Sequence, residues 1–490
     1  MAGKIKIHKG LDIPLTGAAE LRCTDMRHIR LYGIQPADFV GFAPRLEVHE
    51  GDNVEAGQAV LSDKYNAKIR LTSPVCGKVK EVRRGERRAI TAVVIEKEGE
   101  QKRWTYDTEK MKSREGLTEA MTECGLWAMM KQRPFGTIAN PDEKPRDIFI
   151  SLFDTAPLGP CPWRSITGHW SQVTGLYLFE GLNALSMLTD GKVHVCGREF
   201  QGSRFKFKGS ENVIFHEVLG PHPAGNIGTQ IAAIAPINKG ERVWTMNPQD
   251  VVTLGRLVTT GDYRPERLVA VTGPAAVHPQ YYRITPGASL GELLNGQLSS
   301  KDYPNLDAAN GFGTRIISGN VLSGRKATLE GFLGAYDSQV TLIEEGDSYD
   351  FMGWLMPGLR KHSFSRTFLS GLMPKSDRNI VTSDQIQVTS HRSQVTGHRS
   401  LITYNFNTNL HGGVRPLVFS GNFERVFPFD IYPTQLIQAA IIGDIALMEQ
   451  LWIYEVEPED FALCEYIDPS KTEIQTIIRE ELEKVRVSIF

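Results

Sequence analysis

Asp147-Ile148-Phe149-Ile150-Ser151-Leu152-Phe153 is a short, almost wholly apolar run with β-branched and aromatic side chains, the composition of a strand buried on both faces. Lys144-Pro145-Arg146 marks a boundary just upstream, and a loop downstream leads to Leu176–Leu188, whose apolar spacing predicts a helix. Two more strand-type runs follow at Lys192-Val193-His194-Val195 and Asn212-Val213-Ile214-Phe215. Strands alternating with helical stretches predict a parallel sheet with crossover connections over residues 146–264.

That pattern resembles the Rossmann-like class, and other segments flank it. In residues 1–100, Leu46–Leu61 alternates apolar and polar side chains around turns at Gly51-Asp52 and Gly57, and Ser73–Val82 repeats strand, turn and strand. Two such hairpin units predict a barrel-sandwich similar to biotinyl and lipoyl domains. Lys64 stands where those carriers bear their prosthetic group, but the arm from Lys64 to Gly77 is long for a carrier, so a biotin or lipoyl carrier is the weaker alternative. Residues 101–145 read as a helical linker, with a helix over Leu117–Met130 stopped by Arg133-Pro134-Phe135-Gly136. In residues 265–370, strands at Arg267–Gly273, Tyr281–Ile284 and Arg315–Gly319 surround a helix at Ser289–Leu294, an order similar to a β-grasp module of the soluble-ligand-binding (SLBB) type. Residues 371–429 are an irregular polar segment. A C-terminal helical domain occupies 430–490, with a capping box expected at Ser470-Lys471-Thr472-Glu473. The fold class is therefore α/β and multidomain.

The 490 residues allow about three domains or more. Lys plus Arg (55) nearly balances Asp plus Glu (57), which argues against a nucleic-acid partner, because such binding rests on phosphate neutralisation. The six cysteines lie far apart and the twelve histidines show no compact ligand spacing, so neither a zinc site, a disulfide framework nor an iron-sulfur cluster is indicated. The opening Met1–Gly10 has no apolar core of a secretory signal, and Leu436–Leu447 is interrupted by Gln438 and Asp444 and falls short of a membrane span.

Several motifs suggest chemistry. Gly287-Ala288-Ser289-Leu290-Gly291 matches the nucleophile-elbow pattern, but Ser289 and Glu292 read better as a helix capping box. Gly319–Lys326 nearly spells a phosphate loop, yet Lys326 replaces the hydroxyl that would hold magnesium. Gly311-Phe312-Gly313 lacks the third glycine of a dinucleotide fingerprint. Gly220-Pro221-His222-Pro223-Ala224-Gly225-Asn226-Ile227-Gly228-Thr229 is the richer candidate, since its glycines let backbone N–H groups approach an anion or a ring. His222, Gly225, Gly228 and Thr229 are the candidate contacts, with a tight structural turn as the competing reading. Arg83–Arg88 is a basic hairpin tip, a solvated turn or a patch for lipid headgroups or an acidic partner.

Lys6–Gly17, Phe153–Leu158, Gly220–Gly225, Ile317–Gly324, Gly353–Gly358 and Glu424–Thr434 together resemble, in order and along nearly the whole chain, the NqrA family of the sodium-translocating NADH:quinone reductase. The resemblance implies a peripheral subunit on the cytoplasmic side of the bacterial inner membrane, docked on the membrane-embedded B subunit next to the other subunits. The implied complex couples NADH oxidation by quinone to sodium export. Relatives in other respiratory complexes carry a flavin and a cluster. Here Cys464 alone stands in Leu463–Pro469, and the Gly225-x-x-Gly228 loop is shorter than a flavin loop. The expectation is a scaffold with no redox cofactor of its own, the NADH, flavin, iron and quinone chemistry residing in other subunits, with a quinone contact at His222, Gly225, Gly228 and Thr229. A flavin-binding electron-transfer protein is the alternative.

Overall fold

The computed structural model describes residues 3–26, 28–102, 104–160, 170–198, 210–298, 313–346, 405–409, 415–418 and 421–489, with residues 357 and 369. Gly311-Phe312, most of Gly353–Gly358 and most of the polar segment 371–429 lie outside the described residues.

Asp147–Ser151 is the central strand of a seven-stranded sheet. The order across it is Lys4–Lys6, Val213–Leu219, Val193–Gly197, Asp147–Ser151, Val243–Thr245, Lys131–Arg133, Thr137–Ile138. The first five run parallel, in the register Ile148 to Val193 and Ile148 to Trp244, and the last two are antiparallel. Side chains alternate across a strand, so Ile148 and Ile150 enter one core with Leu178 and Leu182 of the helix Trp170–Ser186, while Phe149 enters another with Ile231 of the helix Ile227–Ile234. Each face of the sheet is thus covered by a helix, as continuous apolar strands require.

The helices Trp170–Ser186 and Pro248–Thr260 cross closely because glycines sit at the contact. A Cβ on Gly255 would collide with the Tyr177 carbonyl oxygen, and one on Gly181 with that of Val251.

The N-terminal unit has two small antiparallel sheets. One runs in the order Leu31–Ile34, Ile90–Lys97, Gly77–Arg84, Asn53–Val54, and the other Pro44–Leu46, Ala59–Asp63, Arg70–Thr72. Val60, Leu61, Val79, Val93 and Ile95 fill the space between them. Lys64 and Tyr65 are exposed after Ala59–Asp63, and Arg84–Arg88 form the exposed hairpin tip.

A third, six-stranded sheet orders Arg325–Ala327, Thr314–Ser318, Gln339–Glu344, Arg267–Thr272, Gln280–Ile284, Glu20–Asp25. Residues 3–25 therefore act as an arm. Lys4–Lys6 completes the parallel sheet and Glu20–Asp25 completes this one. The last unit is helical, built from Phe423–Val426, Pro433–Ile442, Ile445–Gln450, Ala462–Ile467 and Ile474–Ile489 around a core that includes Phe427, Phe429 and Phe461.

Three local expectations are corrected. The stretch Leu117–Met130 is not one helix: Arg114–Glu123 is α-helical, and Gly125 at φ +79° turns the chain into a short 3-10 segment, Leu126–Met129. Glycine is required there because a Cβ would collide with Thr72 Oγ1. Ser289 occupies the N-cap of Leu290–Leu293 without a side-chain cap bond, and the Glu292 carboxylate instead accepts the N–H groups of Arg30 and Leu31 at 2.7 and 3.2 Å. Ser470 does not cap a helix either, because its hydroxyl donates to the Pro416 carbonyl while Asp468 accepts the N–H groups of Ser470 and Thr472. The last helix starts later, at Ile474. A capping box does form at Glu457 and Asp460. Gly319–Lys326 is a β-hairpin, and Arg325 pairs with Asp38.

Among the described residues no helix is long and apolar enough to cross a membrane, and no group of three or more His, Cys, Asp or Glu side chains is arranged to hold a metal ion.

Candidate functional site

Sequence order and spatial order diverge at Asp147–Ser151. Its neighbour on one side, Val193–Gly197, follows through the helix Trp170–Ser186, whereas Val243–Thr245 on the other side comes after Val213–Leu219 and the helix Ile227–Ile234. In open α/β sheets such a reversal leaves a crevice beyond the carboxyl ends of the strands. Here the crevice is a cleft of about 280 Å³. Ser151, Phe153 and Asp154 form one wall, and Asn226 and Ile227 open one helix on it. Asn247 and Pro248 open another, Asn320, Tyr336 and Ser338 of the third unit face them, and Glu459 of the helical unit lies at the edge.

The loop Gly220–Thr229 lines part of this cleft, tied down by its own chain. The His222 backbone N–H donates to Asp12 at 2.8 Å, and the Leu11 N–H donates back to the His222 carbonyl. The Thr155 hydroxyl lies 3.1 Å from His222 Nδ1 and accepts the Gly225 N–H at 2.9 Å. The Thr155 hydroxyl thus bridges the His222 ring and the Gly225 backbone. Burial pushes the His222 imidazole down to about 4, against the opposing pull of Asp12, so the ring is neutral at pH 7. Gln230 completes the anchorage, donating to Ser151 Oγ at 2.8 Å and to the Ala224 carbonyl at 3.1 Å.

Of the four candidate contacts, His222 and Gly225 line the cleft, while Gly228 and Thr229 do not. Gly228 is a packing glycine: a Cβ there would lie 2.5 Å from Arg133 Nη1 and 2.6 Å from Asp460 Oδ1. These two form a buried ion pair at 3.2 Å, and Arg133 also reaches Glu459 at 2.6 Å. Burial pushes the Asp460 carboxyl up, opposed chiefly by Arg133. Thr229 is buried, and its hydroxyl has no hydrogen-bond partner among the described residues.

The opposite wall carries groups that belong to none of the sequence motifs. Lys131 extends from the strand Lys131–Arg133, its Nζ 3.7 Å from the centre of the Tyr336 ring. That ring is held by a Tyr336 hydroxyl bond to the Ala128 carbonyl at 2.7 Å and by edge contact with Phe39 at 5.4 Å. Asp154 lines the cleft farther along, accepts the Ala156 N–H at 2.7 Å, and is pushed up by burial. In the sequence, Met129-Met130-Lys131-Gln132 gives no sign of this role, because Tyr336 arrives from another unit.

Family models match three stretches of the chain. The NqrA N-terminal barrel-sandwich hybrid domain covers residues 5–98, the NqrA second alpha/beta domain 112–263, and the NQRA C-terminal domain 268–328. Proteins named as the A subunit of a Na(+)-translocating NADH-quinone reductase align from end to end. Those of Yersinia pseudotuberculosis serotype I and Hahella chejuensis are 35% identical over 489 and 486 residues, each covering 98% of this chain and 99% of the relative. That of Histophilus somni is 34% identical over 486 residues with the same coverage. The barrel-sandwich, the second α/β domain and full-length agreement with these relatives lead to one conclusion: the chain belongs to the NqrA family, the A subunits of the Na(+)-translocating NADH-quinone reductase.

Proposed function

We propose that this chain serves as the A subunit of a Na+-translocating NADH-quinone reductase, a multi-subunit oxidoreductase complex, and that its part is structural. The observation that carries the role is end-to-end identity of 35% with proteins of that name. In this reading the chain docks on the membrane-embedded B subunit at the cytoplasmic face of the bacterial inner membrane. The absence of any helix fit to cross a membrane among the described residues supports a peripheral position. Several units joined by a shared N-terminal arm suit a scaffold that sets distances between partners.

The strand order about Asp147–Ser151, with a crevice at its reversal, supports the Rossmann-like assignment of the second unit. The short helix Leu290–Leu293 beside the mixed six-stranded sheet supports the β-grasp assignment of the third. The electron-silent reading rests on Cys464, which stands alone in Leu463–Pro469 and is buried, whereas a cluster takes about four thiolates. A purified sample with flavin absorbance in the blue would overturn that part.

The role in the complex is tested by affinity capture of this chain from detergent-solubilised membranes. Co-purification of the membrane-spanning pump subunits is expected, and their consistent absence from an intact preparation would sink the proposal. A second reading, quinone contact at the His222–Gly225 wall, is favoured by the neutral imidazole at the cleft, which offers a quinone carbonyl a hydrogen bond without a charge. Photolabelling by a quinone analogue that marks only other regions would reject it.

A further inference from the structure

The Lys131 wall of the cleft differs in kind from the His222 wall. Among the described residues no carboxylate lies within ion-pairing distance of the Lys131 amine, and its one recorded partner is the face of Tyr336. A cation set on a single aromatic face and partly withdrawn from water keeps unused N–H donors, an arrangement that is costly unless something pairs with it. The two acidic groups on the cleft are already engaged: Glu459 with Arg133, and Asp154, pushed up by burial, with the Ala156 N–H. Burial also pushes the Lys131 amine down, opposed by Glu459, Glu457 and Asp337 at longer range.

Two helices begin on the same space. Ile227–Ile234 starts there without a side-chain cap bond from Asn226, whereas the start of Pro248–Thr260 is already capped by the Asn247 side chain, which accepts the Gln249 N–H at 2.9 Å. Helix N-termini carry partial positive charge and favour anions. The cleft, at about 280 Å³, is close to the roughly 300 Å³ where ligand pockets begin, a size that suits a small molecule. Phe153 and Met246 supply apolar surface for its body.

We propose that this cleft binds a small organic anion, its phosphate or carboxylate group seated on Lys131 above the Tyr336 ring. The ligand supplies the charge-assisted hydrogen bonds that the chain leaves unmade. The anion shares the cleft with the quinone reading but turns on Lys131 and not on His222, and the role in the complex is tested separately by co-purification.

The experiment uses the full chain and inorganic phosphate, with succinate as a second arm and sodium chloride at matched ionic strength as control. Acetylation by acetic anhydride is followed at each lysine by peptide mass spectrometry, with exposed Lys64 as internal reference. Phosphate or succinate is expected to slow acetylation of Lys131 several-fold relative to Lys64, and the stronger of the two identifies the anionic group. Calorimetric affinity for that probe is expected to fall about tenfold in Lys131→Met and to recover partly in Lys131→Arg. Equal protection by chloride, no protection by either probe, or unchanged affinity in a folded Lys131→Met variant would each overturn the proposal. The protection measurement needs only the wild-type chain, so it decides even if the variant fails to fold.

Discussion

The two walls of the cleft show what a loop motif and a lone charge each mean in a folded chain. On the Gly220–Thr229 wall the groups are mostly spent on the protein itself. Thr155 takes the Gly225 N–H, Asp12 takes the His222 N–H, and Gly228 leaves room for the Arg133–Asp460 pair. On the Lys131 wall a cation rests on Tyr336 with no carboxylate at ion-pairing distance among the described residues. Glycines in a loop need not mark a ligand, since they equally serve close packing of the chain on itself. A charge left over after its neighbours have paired asks for something outside the chain.

Four measurements break or sharpen that contrast. Arg133→Met removes the partner of fully buried Asp460, and urea unfolding is expected to show a loss of about 3–5 kcal/mol, the cost of leaving a buried charge uncompensated. A variant as stable as wild type would mean that the His222 wall is not braced by this pair.

Acid should weaken the same wall. His222 is held at about 4 in the folded chain against an ordinary value of 6.5, so between these limits the unfolded chain binds more protons and stability rises with pH. The contribution is fully present above pH 6.5 and is lost as pH falls toward 4, by up to about 3 kcal/mol. His222→Gln should flatten that part of the stability profile, and a profile as steep as wild type would point to other groups, among them His216, also held near 4.

Thr155→Val deletes the hydroxyl that joins His222 to Gly225 and should cost about 1–3 kcal/mol, read as a lowered denaturant midpoint with an unchanged slope. Lys131→Met, by contrast, should change stability by no more than about 1 kcal/mol or raise it, because it removes a cation with no carboxylate of the described chain at ion-pairing distance. A large loss in that variant would show that Lys131 is a structural residue and would remove the difference between the walls.

The strands about Asp147–Ser151 were readable because a buried strand must be continuously apolar, and the intervening helices because their apolar spacing changes period. The C-terminal helices were readable for the same reason. The capping boxes at Ser289 and Ser470 failed because nearer or better-placed groups took the same partners, Asp468 in one case and the Arg30 and Leu31 amides in the other. The Leu117–Met130 helix broke where Gly125 takes a left-handed turn, and Thr72, from another unit, leaves room there for glycine alone.

Composition and local periodicity alone determined that this chain forms several α/β and helical units, because those signals are carried within a few consecutive residues. The arm that completes two sheets, the burial of Arg133 against Asp460, and the pairing of Lys131 with Tyr336 were decided only in three dimensions. Each joins residues far apart along the chain, and the energy of such a contact depends on burial and distance, which no local pattern encodes.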